Sequence, residues 1–373
     1  MCSYDVIVLG AGGIGSCTLW QLAKRGLSVL GIDRYEPPHE MGSSHGQTRI
    51  IRQAYFEHPD YVPLVQHATQ GWRELERETA GQLLFPIGLV EVGPADGVLV
   101  PGILRAAHQH ALEVEPLTPR QVERRWPQLR VPQELRAVYE PAAGYLRVEQ
   151  CVAAALQEAR RQGAELRTMT EATGWHSRGN RIVVETTSGE FTCQRLVVTA
   201  GPWAAALLGE LNLGLHVRRQ AQFWFRAPAE AAADRLPLFF YELPTGMFYG
   251  FPALDDRGVK VCDHAAGASV ENPLHVDRDL DQGELAKVSR FLQAHLPAIP
   301  AELSDHRVCL YTMSPDEHFV VDRHPVDPRI VFAAGMSGHG FKFAPVLGEA
   351  LADLAWDGAT RLPIGFLSAT RFA

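Results

Sequence analysis

The 373-residue chain has only six cysteines, Cys2, Cys17, Cys151, Cys193, Cys262 and Cys309, and no two of them form a Cys-x-x-Cys pair. That scatter argues against both a zinc knuckle and a disulfide framework, and points to a reducing compartment. Charge of one sign is also lacking: 35 Lys and Arg stand against 43 Asp and Glu, a formal net charge of −8. Such a surface has no general attraction for phosphate backbones or anionic lipid, so a nucleic-acid partner is disfavoured. No window approaches the roughly 20 continuous apolar residues of a membrane-spanning helix. Met1-Cys2-Ser3-Tyr4-Asp5 carries no basic leader, and Arg371-Phe372-Ala373 is not a Ser-Lys-Leu type of address. A soluble cytoplasmic protein with no membrane partner is the expectation.

What is present is apolar residue in quantity, 46% of the chain, enough for two or three domains at roughly 150 residues each. An apolar strand over 5–9 runs into Gly10-Ala11-Gly12-Gly13-Ile14-Gly15 and then a helix carrying Ile14, Cys17, Trp20 and Leu22, closed by Lys24, Arg25 and Gly26. A second strand, 27–32, ends at Asp33, as in a Rossmann-type βαβ unit. The polar stretch 42–49 reads as a loop. Helical spacing follows over 64–75, 103–112 and 148–161, then strands near Trp175, over 181–186 and over 190–199, joined at the hairpin signals Gly179-Asn180 and Ser188-Gly189. Residues 217–309 alternate strands with one helix, 284–295. The chain closes with strand 330–334, a glycine-rich loop 335–340 and a helix over 346–356.

Gly10-x-Gly12-x-x-Gly15 after a strand and before a helix, with Asp33 at the next strand end, is a strong dinucleotide signal. The glycines permit a tight turn and close backbone approach, the helix N-terminus faces a pyrophosphate, and Asp33 can accept from ribose hydroxyls. The motif by itself does not choose between NAD and FAD. The second loop, Gly335 to Lys342, offers amides, a helix dipole and a cation to an electron-rich ring; two such loops at opposite ends of one chain suit a long cofactor such as FAD. In Ser44-His45-Gly46-Gln47-Thr48-Arg49-Ile50-Ile51-Arg52, two arginines stand among apolar neighbours, and arginine is the side chain suited to bidentate carboxylate binding. Gly42-x-Ser44-x-Gly46 matches a hydrolase nucleophile elbow by accident, since Pro37-Pro38 precedes it in place of a buried strand. His108 and His110, two apart on a helix, point in different directions and do not make a metal pair.

Four segments together resemble monomeric sarcosine oxidase and its relatives, N-methyltryptophan oxidase and pipecolate oxidase: residues 42–52, Met247-Phe-Tyr-Gly-Phe-Pro252, 309–319 beginning Cys309-Leu-Tyr-Thr-Met, and Ser337-Gly-His-Gly-Phe-Lys342. The resemblance implies an α/β (α+β) two-domain flavoprotein: a Rossmann-type FAD-binding domain over 1–85, 145–215 and 315–373, and a second, mostly antiparallel-sheet substrate domain over 86–144 and 216–314. It implies FAD joined through its 8α-methyl to Cys309, gripped also by Gly10, Gly12, Gly15, Asp33, Arg34, Ser43, Ser44, Arg49, Gly338 and Gly340. Arg52 and Lys342 would hold the substrate carboxylate, Tyr249 and His264 would shape the cavity, Lys260 would assist oxygen reduction, and His45 and Arg49 would flank the ring. Alternation over 259–264 puts Lys260 and His264 on one face and Asp263 on the other; the bland alternative for Lys260 is an edge-strand lysine.

The implied activity is oxidation of sarcosine-like N-methyl amino acids by O2 to the demethylated amino acid, formaldehyde and H2O2, by a monomer with no metal. Asp263 and Met336 stand where relatives often carry aromatic residues, which leaves the substrate open. Cyclic imino acids (pipecolate, proline) and N-methyltryptophan are rivals within the same machinery. A flavoenzyme trimming a side chain on transfer RNA is a rival that the net charge disfavours, and a NAD-dependent dehydrogenase would purify colourless.

Overall fold

The computed structural model describes residues 3–265 and 267–372. The βαβ opening forms as its sequence dictates, with strand Ser3–Leu9, helix Gly13–Lys24 and strand Val29–Ile32. Gly26 adopts φ 76° just after the helix, the left-handed turn that glycine takes without a Cβ clash. Ten of that helix's twelve residues are buried, because it lies between the sheet and the outer helices Val148–Arg161 and Ala344–Ala352.

Among the described residues the first sheet has eight strands. Its parallel centre runs Val29–Ile32, Ser3–Leu9, Gly189–Val198, Ile330–Ala334. Glu165–Arg167 and Val320–Arg323 lie outside these, and the hairpin Ala172–Arg178 with Arg181–Thr186 pairs along the first half of Gly189–Val198. The hairpin's two-residue connection is Gly179-Asn180, with Gly179 at φ 62°. Helix Tyr61–Thr79 covers one face, burying Tyr61, Leu64, Val65, Ala68, Trp72 and Leu75 at the three-and-four spacing of an amphipathic helix.

Among the described residues the second sheet has nine strands and is antiparallel except where Leu238–Leu243 runs parallel to Leu89–Gly93. Its longest pairing joins His216–Phe225 to Leu303–Met313. Phe223, Phe225, Phe239, Tyr241 and Phe248 face helix Gln282–His295, which contributes Val288, Phe291 and Leu292. Asp281 caps that helix by accepting from the Glu284 N–H at 2.8 Å. The mixed parallel and antiparallel architecture is the expected fold class.

Two local expectations change, and one alternative falls away. The stretch 42–49 is not all loop: Thr48–Ile51 is a strand paired antiparallel with Gly144–Arg147 in a three-stranded sheet, which satisfies the backbone beside the apolar Ile50 and Ile51. The last helix does not continue regularly to Trp356; Ala344–Ala352 passes into a π turn, Asp353–Asp357, that ends at Gly358 with φ 83°. Lys260 is no edge lysine. Its strand, Val259–Asp263, lies between two neighbours, and the residue is 1% exposed. Among the described residues no helix is long and apolar enough to cross a membrane.

Candidate active site

The parallel strand ends, the loop 42–46 and the C-terminal glycine loop surround a cavity of about 1340 Å³, counting its open mouth. At one end Gly10 has φ 90°, and a Cβ there would lie 2.5 Å from the Thr199 carbonyl oxygen. A Cβ on Gly15 would lie 1.8 Å from the Gly10 oxygen, so the helix can start this close to the strand only with glycine at both places. Gly10 and Gly12 line the cavity, while Gly15 sits behind as the packing residue. Ser44 Oγ accepts the Gly13 N–H at 2.9 Å, tying the helix N-terminus to the loop. Asp33 also lines the cavity, and its two carboxylate oxygens accept the Ala11 and Tyr35 amides at 2.7 and 2.9 Å. Arg34 lies over the Trp203 ring at 5.6 Å and pairs with Glu171.

At the other end the chain turns through Ser337 and Gly338, with φ 45° and 79°. The helix does not open directly after Gly340: a 3-10 turn, Phe341–Phe343, comes first and carries Lys342 inward. Gly338, Gly340, Leu310, Tyr311 and Thr312 line this end with Arg49. Arg49 donates to the Ser43 carbonyl at 3.0 Å and to Cys309 Sγ at 3.2 Å. Cys309 itself is fully buried, on the strand facing Gln220.

A second, smaller cavity of about 520 Å³ shares Arg49, Tyr311, Gly338 and Phe341 with the first. It adds Arg52, Glu57, Phe240, Tyr249, His264, His339 and Lys342. Arg52 is sandwiched at 4.4 and 4.5 Å by the Tyr55 and Phe56 rings, and one of its guanidinium nitrogens donates to both Glu57 oxygens at 2.8 and 2.9 Å. Burial opposes its charge, yet Glu57 and Glu91 outweigh that, and its pKa rises above the ordinary arginine value. Glu57 is held down at about 2: burial opposes ionisation, and the Arg52 guanidinium overcomes it. Burial, then Arg52, pulls Lys342 down to about 7. Burial lowers His264 to about 4, leaving it neutral, with Nδ1 at 3.3 Å from the Tyr311 hydroxyl; that hydroxyl is 3.5 Å from the Tyr249 hydroxyl.

Lys260 and His45 line neither cavity. Lys260 lies behind the loop, donating to the Gly46 and Thr48 carbonyls at 2.6 and 3.3 Å, with the Trp224 and Phe251 rings each 5.1 Å from its nitrogen. Burial lowers it to about 7. His45 is buried with no partner for either ring nitrogen, and burial, then Arg49, drives it to about 3. Glu57, Tyr311, Phe240, His339 and Glu149 escaped the sequence reading. Tyr311 and His339 lie inside segments already singled out, and Glu57 follows Arg52 by five residues. Glu149, which accepts the Gly46 and Gln47 amides at 2.7 and 3.1 Å, lies about a hundred residues from them and leaves no local signal. Among the described residues no group of three or more His, Cys, Asp or Glu could hold a metal ion.

The family of FAD dependent oxidoreductases matches residues 5–354. The chain belongs to this family. It is 40% identical to the monomeric sarcosine oxidase of Streptomyces avermitilis over 379 residues, covering 100% of this chain and 98% of that one. It is 36% identical to the N-methyl-L-tryptophan oxidase of Yersinia pestis over 374 residues, covering 99% of each. Among solved structures, NikD, an unusual amino acid oxidase of nikkomycin biosynthesis in its open form, superposes with TM-score 0.88 at 26% identity, covering 99% of this chain and 98% of that one. The residues here fit the family's cofactor. Beyond the glycine cradle, Trp203 and Thr312 line the large cavity, and Trp203 Nε1 and Thr312 Oγ1 are buried without a hydrogen-bond partner, polar capacity of the kind a bound cofactor takes up.

Proposed function

We propose that this flavin amine oxidase acts on small secondary amino acids of the sarcosine type, using O2 and yielding the demethylated amino acid, formaldehyde and H2O2. The observation that carries the reading is the convergence of Arg49, Arg52 and Lys342 on one small cavity that shares lining residues with the large one. Bound FAD would supply the two-electron redox chemistry, as hydride acceptor for the carbon beside the amine and electron donor to oxygen.

The chain's own residues account for the rest. Arg52 and Lys342 pin the substrate carboxylate, which fixes the adjoining C–H in one orientation and makes the encounter effectively intramolecular. Tyr249 and His264 bound the space for the amine substituent. A cationic lining lowers the bound amine's pKa and so favours the neutral form, whose lone pair must push the hydride out. Gly10, Gly12, Asp33, Arg34, Ser43, Ser44, Gly338 and Gly340 would cradle the cofactor with Gly15 packed behind them, Arg49 would flank its ring with His45 supporting the loop from behind, and Cys309 would supply the thiol for a bond to its 8α-methyl. Lys260 lends positive charge where charge develops on oxygen.

In this reading 1–85, 145–215 and 315–373 form the cofactor domain, 86–144 and 216–314 the substrate domain, and the enzyme works as a cytoplasmic monomer. The family match, the charge lining and the name of the 40%-identical relative support the reading. The test is peroxide production from purified yellow protein across sarcosine, N-methyl-L-tryptophan, pipecolate and proline. Turnover of sarcosine with formaldehyde release is expected; peroxide from the bulky or cyclic acids alone would replace the substrate assignment.

A further inference from the structure

Lys342 is held by a hydrogen-bond chain whose direction the structure determines. His339 Nε2 is 3.1 Å from the Glu317 carbonyl oxygen, and a carbonyl can only accept, so Nε2 carries the ring proton and Nδ1 the lone pair. Tyr55 Oη lies 2.6 Å from Nδ1 and therefore donates its one proton there. The phenol oxygen then presents only lone pairs to Lys342 Nζ, 3.3 Å away. Lys342 Nζ also donates to the His339 carbonyl at 2.9 Å. Both neighbours are thus acceptors. An ammonium ion makes charge-assisted bonds to both and keeps a third N–H for an anion in the cavity, whereas a neutral amine spends its only two N–H groups on them and has a lone pair left for the cavity. Tyr55 is fully buried, and Lys342 and His339 are 6% and 8% exposed, so bulk water does not blur the distinction.

We infer that Tyr55 and His339 are positioning residues that keep Lys342 an ammonium ion for the acid group of the substrate, and that they set the pH above which carboxylate affinity is lost. This rests on the amino-acid oxidase reading, which supplies the carboxylate. The other ionisable groups about Lys342 are Arg49 and Arg52 on and just after strand Thr48–Ile51, Glu57 in the following turn, Glu91 on strand Leu89–Gly93, and His264, Tyr249 and Tyr311 across the small cavity. The arginines push Lys342 toward neutrality, and ionised Glu57 pushes it toward charge. Burial drives His339 to about 3, so the ring stays neutral and the chain keeps its direction across the working range. Loss of an acceptor from the charged form lowers a lysine's pKa, so the affinity fall should move to lower pH.

The test is calorimetric titration of acetate into the flavin-loaded enzyme between about pH 5 and about pH 9. For the unmodified enzyme, affinity should fall as pH rises through a midpoint near about 7. Tyr55→Phe and His339→Leu should each move the midpoint down by about one unit, which is about tenfold weaker binding above it. His339→Asn, whose side-chain oxygen can stand in for Nδ1, should restore the unmodified midpoint, and Lys342→Met should abolish the dependence. Midpoints unmoved in Tyr55→Phe and His339→Leu, or a dependence that survives Lys342→Met, would overturn the inference while leaving the oxidase reading intact. An unmodified enzyme that binds acetate at no pH removes the carboxylate-binding reading itself, and the inference with it. Should Tyr55→Phe not fold, the His339 pair decides.

Discussion

The two joined cavities are built from different materials. The large one is shaped by backbone: glycines at Gly10 and Gly15, the N-terminus of helix Gly13–Lys24, and a loop tied down by Ser44. The small one is shaped by buried charge: Arg52, Glu57 and Lys342 meet in a shell of aromatic rings. A cofactor that stays needs close fit and many weak contacts. A substrate that comes and goes needs a few strong groups that discriminate by charge, and these cost stability to bury. The division shows in protonation. Across the small cavity nearly every ionisable group is displaced, Glu57 down to about 2 and Lys342 down to about 7, as expected where side chains act on a reacting molecule.

That contrast can be broken at several points. The largest effect should come from Cys309→Ala: in the unmodified enzyme the flavin is expected to stay with the acid-precipitated polypeptide, and in the variant it should pass entirely into the supernatant, where its absorbance decides the matter. Gly15→Ala drives a methyl into the Gly10 carbonyl, and thermal unfolding should show a loss of about 3 kcal/mol together with weaker flavin retention. Arg52→Met should raise KM for the amino acid about a hundredfold, the worth of a charge-assisted carboxylate pair, with flavin content unchanged. Flavin loss in that variant would show that the two cavities are not separable.

Lys260→Met should slow flavin reoxidation by O2 about tenfold or more and leave anaerobic reduction by substrate nearly as it was; equal slowing of both in stopped-flow would end the oxygen role. In the unmodified enzyme reoxidation should decline as pH rises through about 7, where Lys260 loses its proton. The smallest effect is expected at Glu91, fully buried with neither carboxylate oxygen hydrogen-bonded and its pKa pushed well above the ordinary value by burial. A carboxyl raised in the folded state contributes most below its unfolded pKa and loses that contribution as pH climbs toward the folded one. Glu91→Gln should therefore gain about 1 kcal/mol over the unmodified protein at neutral pH and nothing below about pH 4, read from unfolding at the two pH values.

Much of the fold was legible locally. The first βαβ unit, the hairpin at Gly179-Asn180 and the helices around Leu64, Ile103 and Val148 all follow from apolar period and turn chemistry. Helix ends were less so: the helix read over 103–112 spans Leu99–His110, since its first turn uses Glu242, distant in sequence, to accept the Leu99 amide at 2.8 Å. In the site, Arg52 and Lys342 stood out by residue type and motif, but Glu57, the anion that balances them, did not, because its role depends on facing Arg52 in a buried pocket.

By itself the sequence determined a nucleotide-binding strand-turn-helix, the order of strands and helices, and the residue types that suit a carboxylate. Those are properties of neighbours along the chain, where backbone sterics and side-chain period act directly. Only the tertiary structure decided that Lys260 is buried behind the loop, that Glu57 and Glu91 share Arg52, and that Lys342 meets a phenol oxygen whose proton is already committed to His339. Desolvation and pairing between groups far apart in sequence arise when the chain closes on itself, and no local pattern encodes them.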